Sequence, residues 1–383
     1  MATDLHSPTA RGYDSWLGYW HHANDYWSFG EGTCESTTET NELVRDLWRY
    51  DSNASTTDLE DSSDIGRPAM DLQNADFCSQ LHQSDSNTTC VYEEKILLDR
   101  VVDIILNHDV NDPLFLLWSS HLVHMPLQAP SDYVDKFKDV DDEQRRMMRA
   151  MTNYLDDAIG QMVTALQHKD MWNNTLIVGH ADNGGEIMFE GICGGNNWPL
   201  RGGKFSNWQG GIKTVAFVSG GMVPPARRGT TLSGHVTAWD WYATYCDIAG
   251  VDVDDAKSSA AGLPDVDGIA QWPYLSGANL TSHRNQVLIG DTSATSFNGD
   301  GKTLVGGIIR GEMKLLIGAS NKDYRVDQDV ITGPLWPNKT SEFHPINPLL
   351  TTRRCTRDPK QSCLFNLTVC SESKRNGIGC STL

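Results

Sequence analysis

Several features are scarce or missing in this 383-residue chain, and each absence removes an explanation. No apolar run approaches the ~18 residues that a membrane span needs, so none is expected. Positive charge is short: 31 Lys and Arg stand against 50 Asp and Glu, a net charge of −19. A surface of that sign repels polyanions, which argues against nucleic-acid binding through a general basic face. Any anionic substrate would need a local positive focus. None of the nine cysteines forms a Cys-x-x-Cys pair, so a zinc ribbon or thioredoxin-type site has no support. No Gly-x-Ser-x-Gly elbow, His-Glu-x-x-His zinc site or strand-linked Gly-x-Gly-x-x-Gly occurs. The first residues, MATDLHSPTAR, carry no apolar core of a signal peptide.

What is present points elsewhere. Cys355, Cys363, Cys370 and Cys380 crowd the last thirty residues, as staples of a loop-rich end would, and the odd total leaves one cysteine free or unmatched. Asn-x-Ser/Thr sequons stand at Asn53, Asn87, Asn173, Asn279, Asn338 and Asn366. Both features suggest an oxidising compartment, against the polar N-terminus. Either the protein is cytosolic or its true start lies upstream of Met1.

Residues 30–90 are rich in Ser, Thr, Asp and Asn and read as a long surface insertion, tied by Cys34, Cys78 and Cys90. From Glu93 to Asn107, Ile96, Leu97, Val101, Ile104 and Ile105 recur at helical spacing. A short apolar run, Leu114–Trp118, has strand length. A second helix is predicted over Asp141–His168, its core stripe formed by Met148, Met151, Leu155, Ile159, Met162 and Leu166. Then follow a strand at Thr175–Val178, a glycine-rich loop from Gly184 to Gly211, a strand at Thr214–Val218 and a helix from Val236 to Ala249. This alternation predicts an α/β domain, residues 1–275, with a mainly parallel sheet between helices. Short strands at Gln286–Ile289, Leu304–Arg310 and Met313–Ile317 predict a small antiparallel-sheet domain over 276–383.

The sharpest local signal is Asp182-Asn183-Gly184-Gly185 after a strand. Ligands gather at the carboxyl ends of strands in open α/β sheets. A carboxylate beside an amide oxygen offers hard donors for Ca²⁺ or Mg²⁺, although Asn-Gly is also a common turn. The next loop, Gly194 to Lys204, ends in Gly-Lys, but Trp198 and Phe205 break a Walker motif. What remains is one or two cations on a stiff loop, suited to a small anion. His121 and His124 follow the Leu114–Trp118 run. Each is a candidate acid or a plain loop residue.

Together these segments resemble the sulfatases of the alkaline-phosphatase superfamily, above all the arylsulfatase B type. Arg11-Gly12-Tyr13-Asp14, Gly18-Tyr19 and Asp25-Tyr26 resemble the family's segment after its Gly-Lys-Trp motif. Pro113-Leu114-Phe115-Leu116 through Val123-His124-Met125-Pro126-Leu127-Gln128 is similar to its strand-plus-histidine segment. Trp172-Asn173-Asn174-Thr175 precedes the Asp-Asn-Gly-Gly turn in the family's manner. Gly194 through Lys204, followed by Trp208-Gln209-Gly210-Gly211, is the most specific stretch, and Asp240-Trp241-Tyr242 and Ile309 through Leu316 are lesser echoes.

The resemblance implies a sulfuric ester hydrolase acting on a sulfated carbohydrate or aryl sulfate in the secretory pathway. It implies Asp182 and Asn183 as Ca²⁺ ligands, Lys204 as a contact of the sulfate, and His124 as a hydrogen-bond donor to it or acid toward the leaving alcohol. The family's nucleophile is a formylglycine made from Cys-x-Pro-x-Arg, and no cysteine here has Pro two residues on. The early Asp-Asp pair and the Gly-Lys-Trp-x-x-Gly segment are also absent. One missing N-terminal block, with its strands and signal peptide, would account for all of these, and the chain alone is expected to be inactive. The alternatives are a non-catalytic glycan-binding relative, and a phosphodiesterase or phosphonate hydrolase of the same superfamily.

Overall fold

The computed structural model describes residues 6–20, 24–27, 29, 46–51, 67–68, 91–186, 194–197, 200, 202–204, 206–290, 306–317 and 363–367. Most of the 30–90 insertion, with Cys34, Cys78 and Cys90, lies outside them, as do Cys355, Cys370 and Cys380. The chain divides into two compact units, Met1–Trp172 and Asn173–Leu383.

The first unit begins with a three-stranded antiparallel sheet of β1 (Ser15–Gly18), β2 (Trp48–Asp51) and β3 (Arg67–Pro68). Three helices follow: α1 (Glu93–Asn107), α2 (Ser131–Asp135) and α3 (Glu143–His168). Helix α1 has the predicted bounds and buries Leu97, Leu98, Val101 and Ile105. Helix α3 is opened by Asp142, whose carboxylate accepts the Arg145 N–H at 2.9 Å. Its buried seam differs from the predicted methionine stripe. Ala150, Met151, Tyr154, Ala158, Ala165 and Leu166 line it, while Met148, Leu155, Ile159 and Met162 are only half-buried. Alanines carry little weight in a hydrophobic pattern, yet their small side chains let α1 approach α3 closely. Tyr154 meets Tyr92 edge-on within this core, ring centres 5.0 Å apart.

The predicted strand at Leu114–Trp118 is not one. It pairs with no strand among the described residues, and Phe115 and Leu117 are 58% and 66% exposed. An apolar run becomes a strand only when a neighbour completes its ladder.

In the second unit, β4 (Ile177–His180) pairs with β5 (Ala216–Ser219). Both lie two residues further on than their predicted starts. The pair is antiparallel, not parallel, because the glycine-rich loop turns the chain back along its own sheet; indeed every strand pair among the described residues is antiparallel. The short helix α4 (Gln209–Ile212) ends that loop. Helix α5 (Asp240–Ala249) starts four residues later than predicted, at a buried carboxylate. Asp240 accepts the Thr237 and Ile269 N–H groups and is forked by Arg284. Burial alone would raise the Asp240 carboxyl; Arg284 and these donors hold it below the usual carboxylate range. After α6 (Ala256–Ala260) and α7 (Trp272–Ser276) comes the expected small antiparallel sheet, in order β6 (Gln286–Ile289), β7 (Gly306–Arg310), β8 (Met313–Ile317) and β9 (Cys363–Asn366). The predicted start of β7 at Leu304 lies outside the described residues. Cys363 is disulfide-bonded, and the buried Cys246 is a free thiol.

Candidate active site

The turn Asp182–Gly185 directly continues β4, for the Ala181 N–H still donates to the Val215 carbonyl at 3.1 Å. Asp182 is exposed and accepts the Asn183 N–H on Oδ1 at 2.7 Å, which folds the carboxylate and amide onto one tight turn. The next two residues are stitched to the following loop through their backbones. Gly184 N–H donates to the Gly211 carbonyl at 2.8 Å, and a side chain at Gly184 would run into the Gly210 carbonyl. Gly185 is held on both polar groups by the Asn197 side chain, which accepts its N–H at 2.9 Å and donates to its carbonyl at 2.7 Å. The Lys204 N–H reaches the same carbonyl at 3.2 Å. Asp182, Asn183 and Lys204 therefore share one loop system in the second unit.

Do these residues fit a divalent cation? The donors are a carboxylate and an amide oxygen, the hard ligands Ca²⁺ prefers, on a turn whose backbone cannot shift without breaking the stitching. Among the described residues no cluster of three or more His, Cys, Asp and Glu side chains could hold a metal. Asp182 and Asn183 fit as part of a coordination sphere that takes about 6–8 oxygens in full.

His124 lies in the first unit, on a turn closed by its own N–H donating to the His121 carbonyl at 2.9 Å. Its Nδ1 stands 2.7 Å from the Met125 carbonyl, so Nδ1 carries the proton that makes this bond and Nε2 is left for another partner. Buried side chains hold this turn from below. The Tyr26 hydroxyl is 2.9 Å from the His121 carbonyl and 3.0 Å from that of His124, and its single proton is shared between them. Glu94 accepts the His121 N–H at 2.6 Å and the Ser120 hydroxyl at 2.9 Å. Tyr92 donates to the Gln128 carbonyl at 2.9 Å at the far end of the segment.

The same network sets His121 apart from His124. His121 is buried, stacked on Tyr26 at 4.2 Å, with Nδ1 3.1 Å from Glu93 Oε1. Burial pushes its imidazole down and the Glu93 carboxyl up, so the pair is neutral and structural. Burial likewise raises Glu94 to about 7. Of the two histidine candidates, His124 alone keeps an ordinary half-exposed setting. Sequence reasoning missed Tyr26, Glu93 and Glu94 as its supports. Two adjacent glutamates in a first helical turn look like dipole partners, and only their full burial shows otherwise.

Comparison with known proteins places the chain among sulfatases. The family model described as Sulfatase matches residues 5–251. Arylsulfatase J of Mus musculus is 34% identical over 198 residues, 52% of this chain and 31% of its own length. N-acetylgalactosamine-6-sulfatase of Homo sapiens is 24% identical over 227 residues, 57% of this chain and 38% of its length. The chain thus spans about a third of the curated relatives it matches. The crystal structure of Ps i-CgsB is 21% identical with a TM-score of 0.59, covering 84% of this chain and 61% of that one. The same protein in complex with k-i-k-neocarrahexaose gives a TM-score of 0.58 at 21% identity, over 82% of this chain and 59% of the other. These likenesses show the alkaline-phosphatase-like α/β fold.

Proposed function

The chain belongs to the sulfatase family of sulfuric ester hydrolases, in the alkaline-phosphatase superfamily, and on that premise we propose that the protein cleaves sulfate esters of a carbohydrate or aryl alcohol. One observation carries the assignment of residues: the Lys204 backbone N–H bonds the Gly185 carbonyl, two residues past Asn183, so the lysine and the oxygen donors sit on one stitched loop system.

In this reading Asp182 and Asn183 are ligands of a Ca²⁺, which when bound would draw charge from a sulfate oxygen. Lys204 contributes fixed positive charge at the sulfate, the local focus that a chain of net charge −19 needs. His124, held with Nδ1 protonated, gains a second proton on Nε2 and then donates to a sulfate oxygen or to the leaving alcohol. The nucleophile proposed for the protein is the family's formylglycine, and no cysteine of this chain lies in a Cys-x-Pro-x-Arg motif. The chain by itself is therefore proposed not to turn over.

The substrate class draws support from the relatives' names and from the oligosaccharide complex of Ps i-CgsB. A secretory compartment is proposed on the disulfide at Cys363 and the exposed sequon residue Asn173. No described helix is long and apolar enough to cross a membrane. The division into a catalytic part, residues 1–275, and a C-terminal part, 276–383, belongs to the same proposal. To test the reading, the purified chain is given an aryl sulfate with calcium, and its binding of inorganic sulfate is measured in parallel. No alcohol release is expected, with sulfate binding weakened about tenfold or more by Lys204→Ala. Robust turnover would overturn the assignment of the nucleophile, and equal binding by the variant would remove Lys204 from the site.

A further inference from the structure

The second unit contains a charged group that this chemistry does not use. Lys314 sits in β8, paired to β7 on one side and β9 on the other, and it shares the buried face of the strand with Leu316. Its side chain is 1% exposed and pairs with no carboxylate among the described residues. Burying an ammonium in this way is costly, and burial pushes it down to about 7. A leucine or methionine would fill the space without that cost. What only a long donor can do is reach across, and the Lys314 Nζ donates to the Asn207 carbonyl at 2.6 Å and to Gln209 Oε1 at 3.0 Å.

These two acceptors flank Trp208, which is buried against Leu316, Cys363 and Phe365. Gln209 opens α4, and the next two residues are the ones that grip the metal-ligand turn: Gly210 abuts Gly184, and Gly211 accepts its N–H. A continuous line of contacts runs from the sheet through Lys314, Gln209 and Gly211 to Gly184, next to Asn183. We propose that Lys314 is a positioning residue of the active site, an ammonium clamp that docks the Asn207–Ile212 segment on the C-terminal sheet and so fixes the Asp182–Gly185 turn. It acts through Gln209 and never meets substrate, because it is buried and directs its bonds to Asn207 and Gln209. The inference rests on the sulfatase reading only for what the turn binds.

The test reads the turn rather than turnover. Amide hydrogen exchange is followed residue by residue in the wild-type chain, in Lys314→Met, which keeps the length and loses the donor, and in Gln209→Ala, which removes one acceptor and spares the strand. Exchange at Gly184 and Gly211 is expected to rise about tenfold or more in Lys314→Met, and less in Gln209→Ala, while the β6–β7 amides stay within about twofold. Gln209→Glu sets a carboxylate against the ammonium; it should slow exchange at Gly184 in the wild-type background and quicken it in Lys314→Met. Unchanged exchange at Gly184 in the variants that fold would overturn the proposal. So would an equal rise across the whole sheet, the mark of a merely structural lysine. If Lys314→Met does not fold, the two Gln209 variants decide alone. Calcium response at Asp182 is measured separately on the wild type, so a failure of the sulfatase reading leaves these outcomes interpretable.

Discussion

The two units hold their candidate catalytic residues by opposite means. In the first, His124 rests on buried side chains: the Tyr26 hydroxyl, the Glu94 carboxyl and the neutral Glu93–His121 pair. In the second, Asp182, Asn183 and Lys204 rest on glycine backbone packed against glycine backbone, with one buried ammonium behind it. A side-chain support can be tuned one group at a time, whereas a backbone support tolerates almost no change. The buried titratable groups behind these residues also differ in kind, Glu93 and Glu94 in the first unit and Lys314 in the second.

The largest effect that would sharpen this contrast is at Gly184. Its replacement by Ala drives a methyl group into the Gly210 carbonyl, a backbone atom that cannot rotate away. A cost of about 3 kcal/mol is expected, visible as a lowered urea midpoint for the second unit. A neutral result would show that the loop is looser than its contacts imply. Next comes Glu94→Ala, which strips the acceptor from the His121 N–H and the Ser120 hydroxyl. About 2 kcal/mol is expected in the first unit, with Glu94→Gln recovering part of it because it keeps an acceptor oxygen. Equal losses from both variants would mean that charge, not hydrogen bonding, is what Glu94 supplies.

A smaller effect separates the units by pH. Glu93 and Glu94 release their protons near 4.5 when unfolded and are raised to about 8 and about 7 when folded. Their protonated forms stabilise the first unit fully below about 4.5, and that stability is lost progressively as pH rises from there through the folded values of about 7 and about 8. The depressed His121 works the other way only below its ordinary 6.5, so it does not offset them above that pH. Lys314 has the reverse sense to the glutamates: its folded value of about 7 lies below 10.5, so the second unit gains stability as pH rises from 7 toward 10.5. Between pH 7 and 8, hydrogen exchange corrected for its intrinsic rate should quicken in α1 and slow in β8. Parallel trends in both units would break the comparison.

The same contrast explains what was legible in the sequence. Asp182–Gly185 and Gly194–Lys204 are contiguous, and backbone approach demands glycine there, so the motif is written in adjacent letters. Helix α1 was readable because its apolar residues recur along one face. The support of His124 was not readable, because Tyr26 meets it across a separation of 98 residues that no local pattern reports. Lys314 left one faint trace, a charged residue at an inward position of an apolar strand beside Leu316. The Leu114–Trp118 run misled because periodicity reports what a segment could pair with, not whether a partner strand is there.

The central claim is that Asp182 and Asn183 form the oxygen-donor part of a metal site on this glycine-built turn. The direct test is to titrate calcium into the chain and follow its amide resonances. The shifts should concentrate at Asp182–Gly185 and Lys204 and vanish in Asp182→Asn. Shifts spread over the acidic surface, with residues 182–185 silent, or an unchanged response in the variant, would contradict it.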